Sequence, residues 1–219
     1  MKKYIKTLLR ENLNIEEDYP SSFDMEHFKS LTSFNKRIKY CQEHLQRISS
    51  GSARIAYKID DQKVLKLAKN KKGIAQNEVE ISASQDYYLD DIVAKVFDYH
   101  PDDLWLEMEL ARKVTKNNFK KFTGYSFEDF SNVLNNDHYR NNPRRFSMNY
   151  LSNMDEETIE QIHNDEFYMT IFDYTQNYGI PPGDLTKTSS YGYIKRNGND
   201  DIVLIDYGLD ADVFSTHYS

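Results

Sequence analysis

Three residues in this chain have the types and order needed to handle a polyphosphate. They are Lys66 inside the apolar run Val64-Leu65-Lys66-Leu67-Ala68, Asp184 in "GDL", and Asp206 in "IDYG". A nucleoside triphosphate carries charge that a lysine and metal ions neutralise, the metals need carboxylate oxygens, and an attacking hydroxyl needs a positioned acceptor for its proton. One lysine and two aspartates supply those three parts. A glycine-serine turn, Gly51-Ser52, precedes the lysine, and the aspartates stand 22 residues apart with a hairpin signal between them.

Taken singly, each signal has an ordinary explanation. A strand lysine usually faces solvent, a Gly-Ser pair is usually a turn, and Asp and Gly favour turns after strands. Glutamates on a helix are usually solvated. The order of the features gives them meaning together.

The elements that must position them are readable from periodicity. "RIAYKI" and "KVLKLA" read as strands joined through "DDQ", "GIAQNEVEISASQDYY" as a helix, and "DIVAKVFDYH" and "DLWLEMEL" as two more strands around "PDD". Beyond about Lys116 the pattern turns helical. "SFEDFSNVLNN" begins like a capping box, and "DEETIEQIHNDEFYMTIFDYTQNY" carries one long helical pattern. "NGND" separates "YGYIKR" from "DIVLID" as a hairpin signal. Before the strands, Ile5, Leu8, Leu9 and Leu13 form a helical stripe expected to dock on a lobe or a partner protein, and a second helix is expected from about Asp24 to Arg47.

In this order (glycine turn, strand lysine, helix glutamate, two aspartates) the stretch from about Ser49 to Gly208 resembles the protein-kinase-like fold family. Its "GDL…IDYG" spelling is more similar to small-molecule and bacterial or viral kinase-like proteins. "SGSARIAYKIDDQKVLKLAKNKKGIAQNEVE" also resembles a compact kinase-like family of tailed-phage genomes. The resemblance implies an α+β, two-lobed fold with a small antiparallel sheet and a mostly helical, reduced second lobe. The expected divisions are a helical extension at 1–47, a first lobe at 48–112 and a second at 113–219.

Carried over residue by residue, the resemblance makes Lys66 the contact to the nucleotide phosphates and a helix glutamate its partner. "QNEVE" offers Glu78 or Glu80, with Glu80 preferred because Ile74 and Ile81 leave it free to face the cleft. Gly51 and Ser52 would lie over the phosphates, and Glu109 and Leu110 would bring backbone groups to the adenine. Asp184 would be the catalytic base and Asp206 the magnesium ligand. Ser189 stands five residues after Asp184, where the family has an asparagine for a second metal, and Pro182 stands where it has a histidine. The phosphate turn has one glycine where the family has three.

Composition limits the alternatives. A net charge of −7 and a pI near 5.4 argue against a general nucleic-acid or anionic-membrane surface. The single cysteine, Cys41, excludes an intrachain disulfide and a cysteine-rich zinc site. A mean hydropathy of −0.78 and the lack of a long apolar run predict a soluble protein of the cytoplasm, or of a virion if phage-encoded. The expected cofactors are ATP and magnesium, and the acceptor or protein partner is open. Two functions compete. One is an ATP-dependent phosphotransferase, with nucleotidyl transfer as a variant. The other is a non-catalytic, pseudokinase-like nucleotide-binding or structural module. The sequence ends eleven residues after Gly208, which predicts that a conventional peptide kinase's activation segment is absent.

Overall fold

Alternation in two neighbouring strands sets the architecture. In β2 (Arg54–Lys58) and β3 (Lys63–Ala68), Ala56 lies opposite Lys66 and Tyr57 opposite Leu65. Successive side chains point to opposite faces, so Arg54, Ala56, Val64 and Lys66 share one face, which lines a cleft. Tyr57, Leu65, Leu67 and, from β5 (Trp105–Glu109), Trp105 belong to a separate apolar cluster on the other face.

The computed structural model describes residues 19–140, 150–180, 182–196 and 198–217. The stripe Ile5, Leu8, Leu9, Leu13 lies outside them. Strands β1 (Gln46–Ser50), β2, β3, β4 (Val96–Tyr99) and β5 form an antiparallel sheet in the order β1-β2-β3-β5-β4. Its outer face is covered by α1 (Met25–Ser30) and α2 (Phe34–His44), through Phe23, Met25, Phe28, Cys41 and Leu45. The single helix expected from Asp24 to Arg47 is therefore two helices and the start of a strand. Leu31 is extended and Ser33 caps a new helix by accepting the Lys36 N–H.

On the inner face lies α3 (Lys71–Ala83), capped by Asn70. Gly73 brings it close to the sheet, because a Cβ there would stand 2.3 Å from the Ala53 carbonyl oxygen. The remaining elements are mostly helical. They comprise α4 (Lys116–Thr123), α5 (Phe127–Tyr139), α6 (Glu156–His163), α7 (Glu166–Asn177) and the short α8 (Pro182–Leu185). Ser126 accepts the Asp129 N–H at the start of α5, as the capping pattern predicts. The one long helix expected around residues 155–177 is broken at Asn164-Asp165, because Asp165 accepts the Tyr168 N–H and caps α7.

A second antiparallel sheet joins β6 (Arg112–Lys113), β7 (Tyr191–Arg196) and β8 (Asn199–Leu204). The expected hairpin is β7–β8. Its strand β8 leads into Ile205-Asp206-Tyr207-Gly208, and α9 (Ala211–His217) follows and packs against α3. The arrangement is α+β, as expected: a small antiparallel sheet with one helix on its inner face, joined to a mostly helical part. Among the described residues no helix is long and apolar enough to cross a membrane.

Candidate active site

The cleft has a volume of about 320 Å³. Gly51, Ser52, Lys66, Glu109, Leu110, Asp184, Ser189 and Asp206 all line it. Glu80 lies behind them, fully buried, and reaches the cleft through Lys66.

Lys66 donates to both carboxylate oxygens of Glu80 at 2.9 Å and to the Ile205 carbonyl at 2.5 Å. Glu78 is exposed on the same helix, so the choice between the two glutamates falls on Glu80. Burial pushes the Lys66 ammonium below the usual lysine range, and the neighbouring Glu80 carboxylate only partly offsets it. Glu80 also accepts the Tyr207 N–H at 3.2 Å. One carboxylate thus joins the strand lysine to the turn after β8.

That turn points successive side chains to different places. Asp206 faces the cleft, whereas Tyr207 is buried, donating its hydroxyl to the Ala94 carbonyl and accepting the Tyr174 hydroxyl on its own carbonyl, both at 2.9 Å. Gly208 follows because a Cβ there would meet the Gln76 carbonyl oxygen at 2.4 Å. Only a residue without a side chain lets the turn approach α3 so closely.

Asp184 sits in α8. The loop around it is fixed from below, with Ser190 donating to the Asp184 carbonyl at 2.6 Å and the buried Tyr191 hydroxyl donating to the Leu185 carbonyl at 2.8 Å. The two adjacent serines divide the work: Ser190 is buried and holds the loop, and Ser189 faces the cleft. The Asp184 carboxylate accepts from Lys187 at 2.5 Å.

At the glycine turn, Lys69 donates to the Gly51 carbonyl at 2.8 Å and Asn70 to the Ser52 carbonyl at 3.2 Å. A Cβ at Gly51 would meet only the Arg54 carbonyl oxygen, at 3.9 Å. The steric requirement for glycine therefore falls on Gly73 and Gly208. At the expected adenine edge, the Glu109 N–H donates to the Lys95 carbonyl and the Leu110 N–H to the Gln62 carbonyl, at 2.8 and 2.6 Å. The Glu109 side chain turns away to Arg196 at 2.7 Å. Those two donors are engaged within the protein, so backbone recognition of a base by these residues would fall to their carbonyls.

Arg54 is the site residue that sequence reasoning missed. Its guanidinium, about one-tenth exposed, contacts Glu80 at 2.7 and 2.9 Å, Asn77 at 3.3 Å and Asp206 at 2.5 Å. The strand period was the available signal, since it puts residue 54 on the same face as Ala56, the partner of Lys66. The recess around Asp206 pushes its carboxyl up, but the Arg54 and Lys66 cations outweigh this and hold it below the usual carboxylate range.

These neighbours bear on magnesium. A magnesium ion requires carboxylate oxygens in near-octahedral geometry. Asp206 is held by Arg54 and Asp184 by Lys187. Among the described residues no three His, Cys, Asp or Glu side chains gather as a metal site. The donor set in this arrangement does not fit the ion.

No known protein family and no curated protein matches the chain by sequence. Seven chains of solved structures do match. One is the GDP complex of wild-type aminoglycoside 2'-phosphotransferase-IIIa, 12% identical, with a TM-score of 0.36 over 84% of this chain and 70% of that one. Another is the streptomycin-ATP-APH(2")-IIa ternary complex, 15% identical, with a TM-score of 0.34 over 86% of this chain and 72% of that one.

Proposed function

We propose that the cleft binds a nucleoside triphosphate, with ATP as the expected donor, and that the protein transfers a phosphoryl group from it to a hydroxyl-bearing acceptor. The observation that carries this reading is the buried Lys66–Glu80 pair opening onto a cleft that Asp184 and Asp206 also line. Positioning and electrostatics supply most of the catalysis of phosphoryl transfer, and this site provides both.

In this reading Glu80 fixes the Lys66 ammonium, which binds the phosphates from below, while Gly51 and Ser52 cover them from above. Ala56, Val64 and Met108 provide apolar surface for the base. Asp184, held by the Ser190 and Tyr191 contacts, orients the acceptor hydroxyl and takes its proton. Magnesium at Asp206 and Ser189, which the family resemblance implies, does not fit while Arg54 holds Asp206, and no step here passes through it.

A second reading, a non-catalytic nucleotide-binding or structural module, is favoured by a specific observation. The carboxylates of the cleft are already paired with the protein's own cations, Arg54, Lys66 and Lys187. Incubation with γ-labelled ATP separates the two. The transferase reading expects label release or incorporation that falls by about 10²-fold or more in Asp184→Asn. Turnover that is absent, or unchanged by that substitution, would favour the module.

A further inference from the structure

Arg54 lines the cleft with its side chain only 10% exposed, and two edges of its planar guanidinium meet different surroundings. The end formed by Nη1 and Nη2 grips Glu80 with both nitrogens, at 2.7 Å to Oε2 and 2.9 Å to Oε1, and Nη1 also reaches Asn77 at 3.3 Å. The adjoining edge, formed by Nε and Nη2, lies on the Asp206 side. Nη2 donates there to Asp206 at 2.5 Å, and among the described residues none accepts from Nε.

A guanidinium edge of this kind matches two oxygens of one phosphate. Asp206 takes a single corner of it with a single oxygen, and its side chain is 64% exposed. Water therefore already competes for that contact, and a phosphate oxygen that shares Nη2 while another accepts from Nε displaces little. The guanidinium stays anchored on Glu80 and Asn77 throughout, so the sheet and α3 need not move.

Charge decides what such a phosphate can bring with it. Arg54 and Lys66 share the one buried carboxylate of Glu80, which leaves a positive charge toward the cleft. A divalent cation carried in on the phosphates would approach that guanidinium in a partly desolvated recess, where like charges repel strongly. The carboxylates that could hold the ion are already paired, Asp206 with Arg54 and Asp184 with Lys187.

We propose that Arg54 is a phosphate-binding residue, and that the cleft takes nucleoside polyphosphates free of divalent metal, with the guanidinium supplying the positive charge that magnesium supplies in metal-dependent phosphate sites. The inference rests on the nucleotide reading of the cleft and adds the chemical form of its ligand.

Equilibrium dialysis of the full chain against labelled ATP, in EDTA and in excess magnesium, tests it. Wild type should bind in EDTA at least as tightly as in magnesium, a comparison that does not depend on any variant folding. Arg54→Gln, whose fold circular dichroism checks, should bind roughly tenfold or more weakly than wild type in EDTA. Wild-type binding that is tighter in magnesium, or binding in EDTA that a folded Arg54→Gln leaves unchanged, overturns this inference and leaves the nucleotide reading standing. Binding absent from wild type in both conditions overturns the two together.

Discussion

Glu80, fully closed to solvent, accepts both of its carboxylate contacts from Lys66 at 2.9 Å and shares the same oxygens with Arg54. Removing a buried anion strands its cations, whereas removing one of two cations leaves the anion served. Glu80→Ala should therefore destabilise the fold by about 3–5 kcal/mol. Lys66→Met should cost less, since Arg54 remains on Glu80 and burial already disfavours the charged lysine. Urea midpoints check the order. Equal or reversed losses would refute this account of the pair.

Gly73 and Gly208 fix how closely α3 approaches the glycine turn and the turn after β8. A Cβ would stand 2.3 Å from the Ala53 oxygen at one and 2.4 Å from the Gln76 oxygen at the other. Both obstacles are backbone atoms, so each alanine variant should lose about 1–3 kcal/mol. Gly183→Ala, where a Cβ meets nothing within 4 Å, should change stability by less than about 0.5 kcal/mol. Thermal melts of the three variants make the comparison.

His100 accepts the Asp102 N–H on Nδ1 at 3.0 Å, a bond only the neutral ring can make. Burial, with Arg37 and Lys29 nearby, lowers its pKa despite Asp102. A lowered folded value means that the unfolded chain takes the proton first. Stability should hold above the ordinary histidine pKa of about 6.5 and fall as pH drops below it toward the folded value. His100→Gln should lose less stability than wild type between neutral and mildly acidic pH. Parallel slopes would show that this ring does not contribute.

Cys41 is buried under α2, and burial pushes its thiol up to about 12. Native protein near pH 8 should resist iodoacetamide, and urea-unfolded protein should react fully. Mass spectrometry reads the result, and rapid alkylation of the native state would contradict the packing of α2 on the sheet.

Much of the candidate site was legible from residue type and order. Lys66, Asp184, Asp206 and a helix glutamate, Glu78 or the preferred Glu80, could be named before any geometry; the first three line one cleft, and Glu80 is the glutamate that pairs with Lys66. Arg54 was not, because an arginine opening a strand usually faces solvent, and only the register against Ala68 and its neighbours turns it inward. The helix breaks at Leu31 and Asp165 were hidden for another reason. Side-chain caps at Ser33 and Asp165 overrode a helical period that continues through them. The role of α1 and α2 was also hidden, since the odd-numbered face of β2 and β3 reveals its need for cover only once the sheet is assembled.

Isothermal titration of the full chain with ATP, with and without magnesium, tests the central claim that the Lys66 cleft is a nucleotide site. Wild type should bind in at least one of the two conditions, and Lys66→Met should weaken that binding by roughly tenfold or more. Heat absent from wild type in both conditions, or binding that Lys66→Met leaves unchanged, would contradict it.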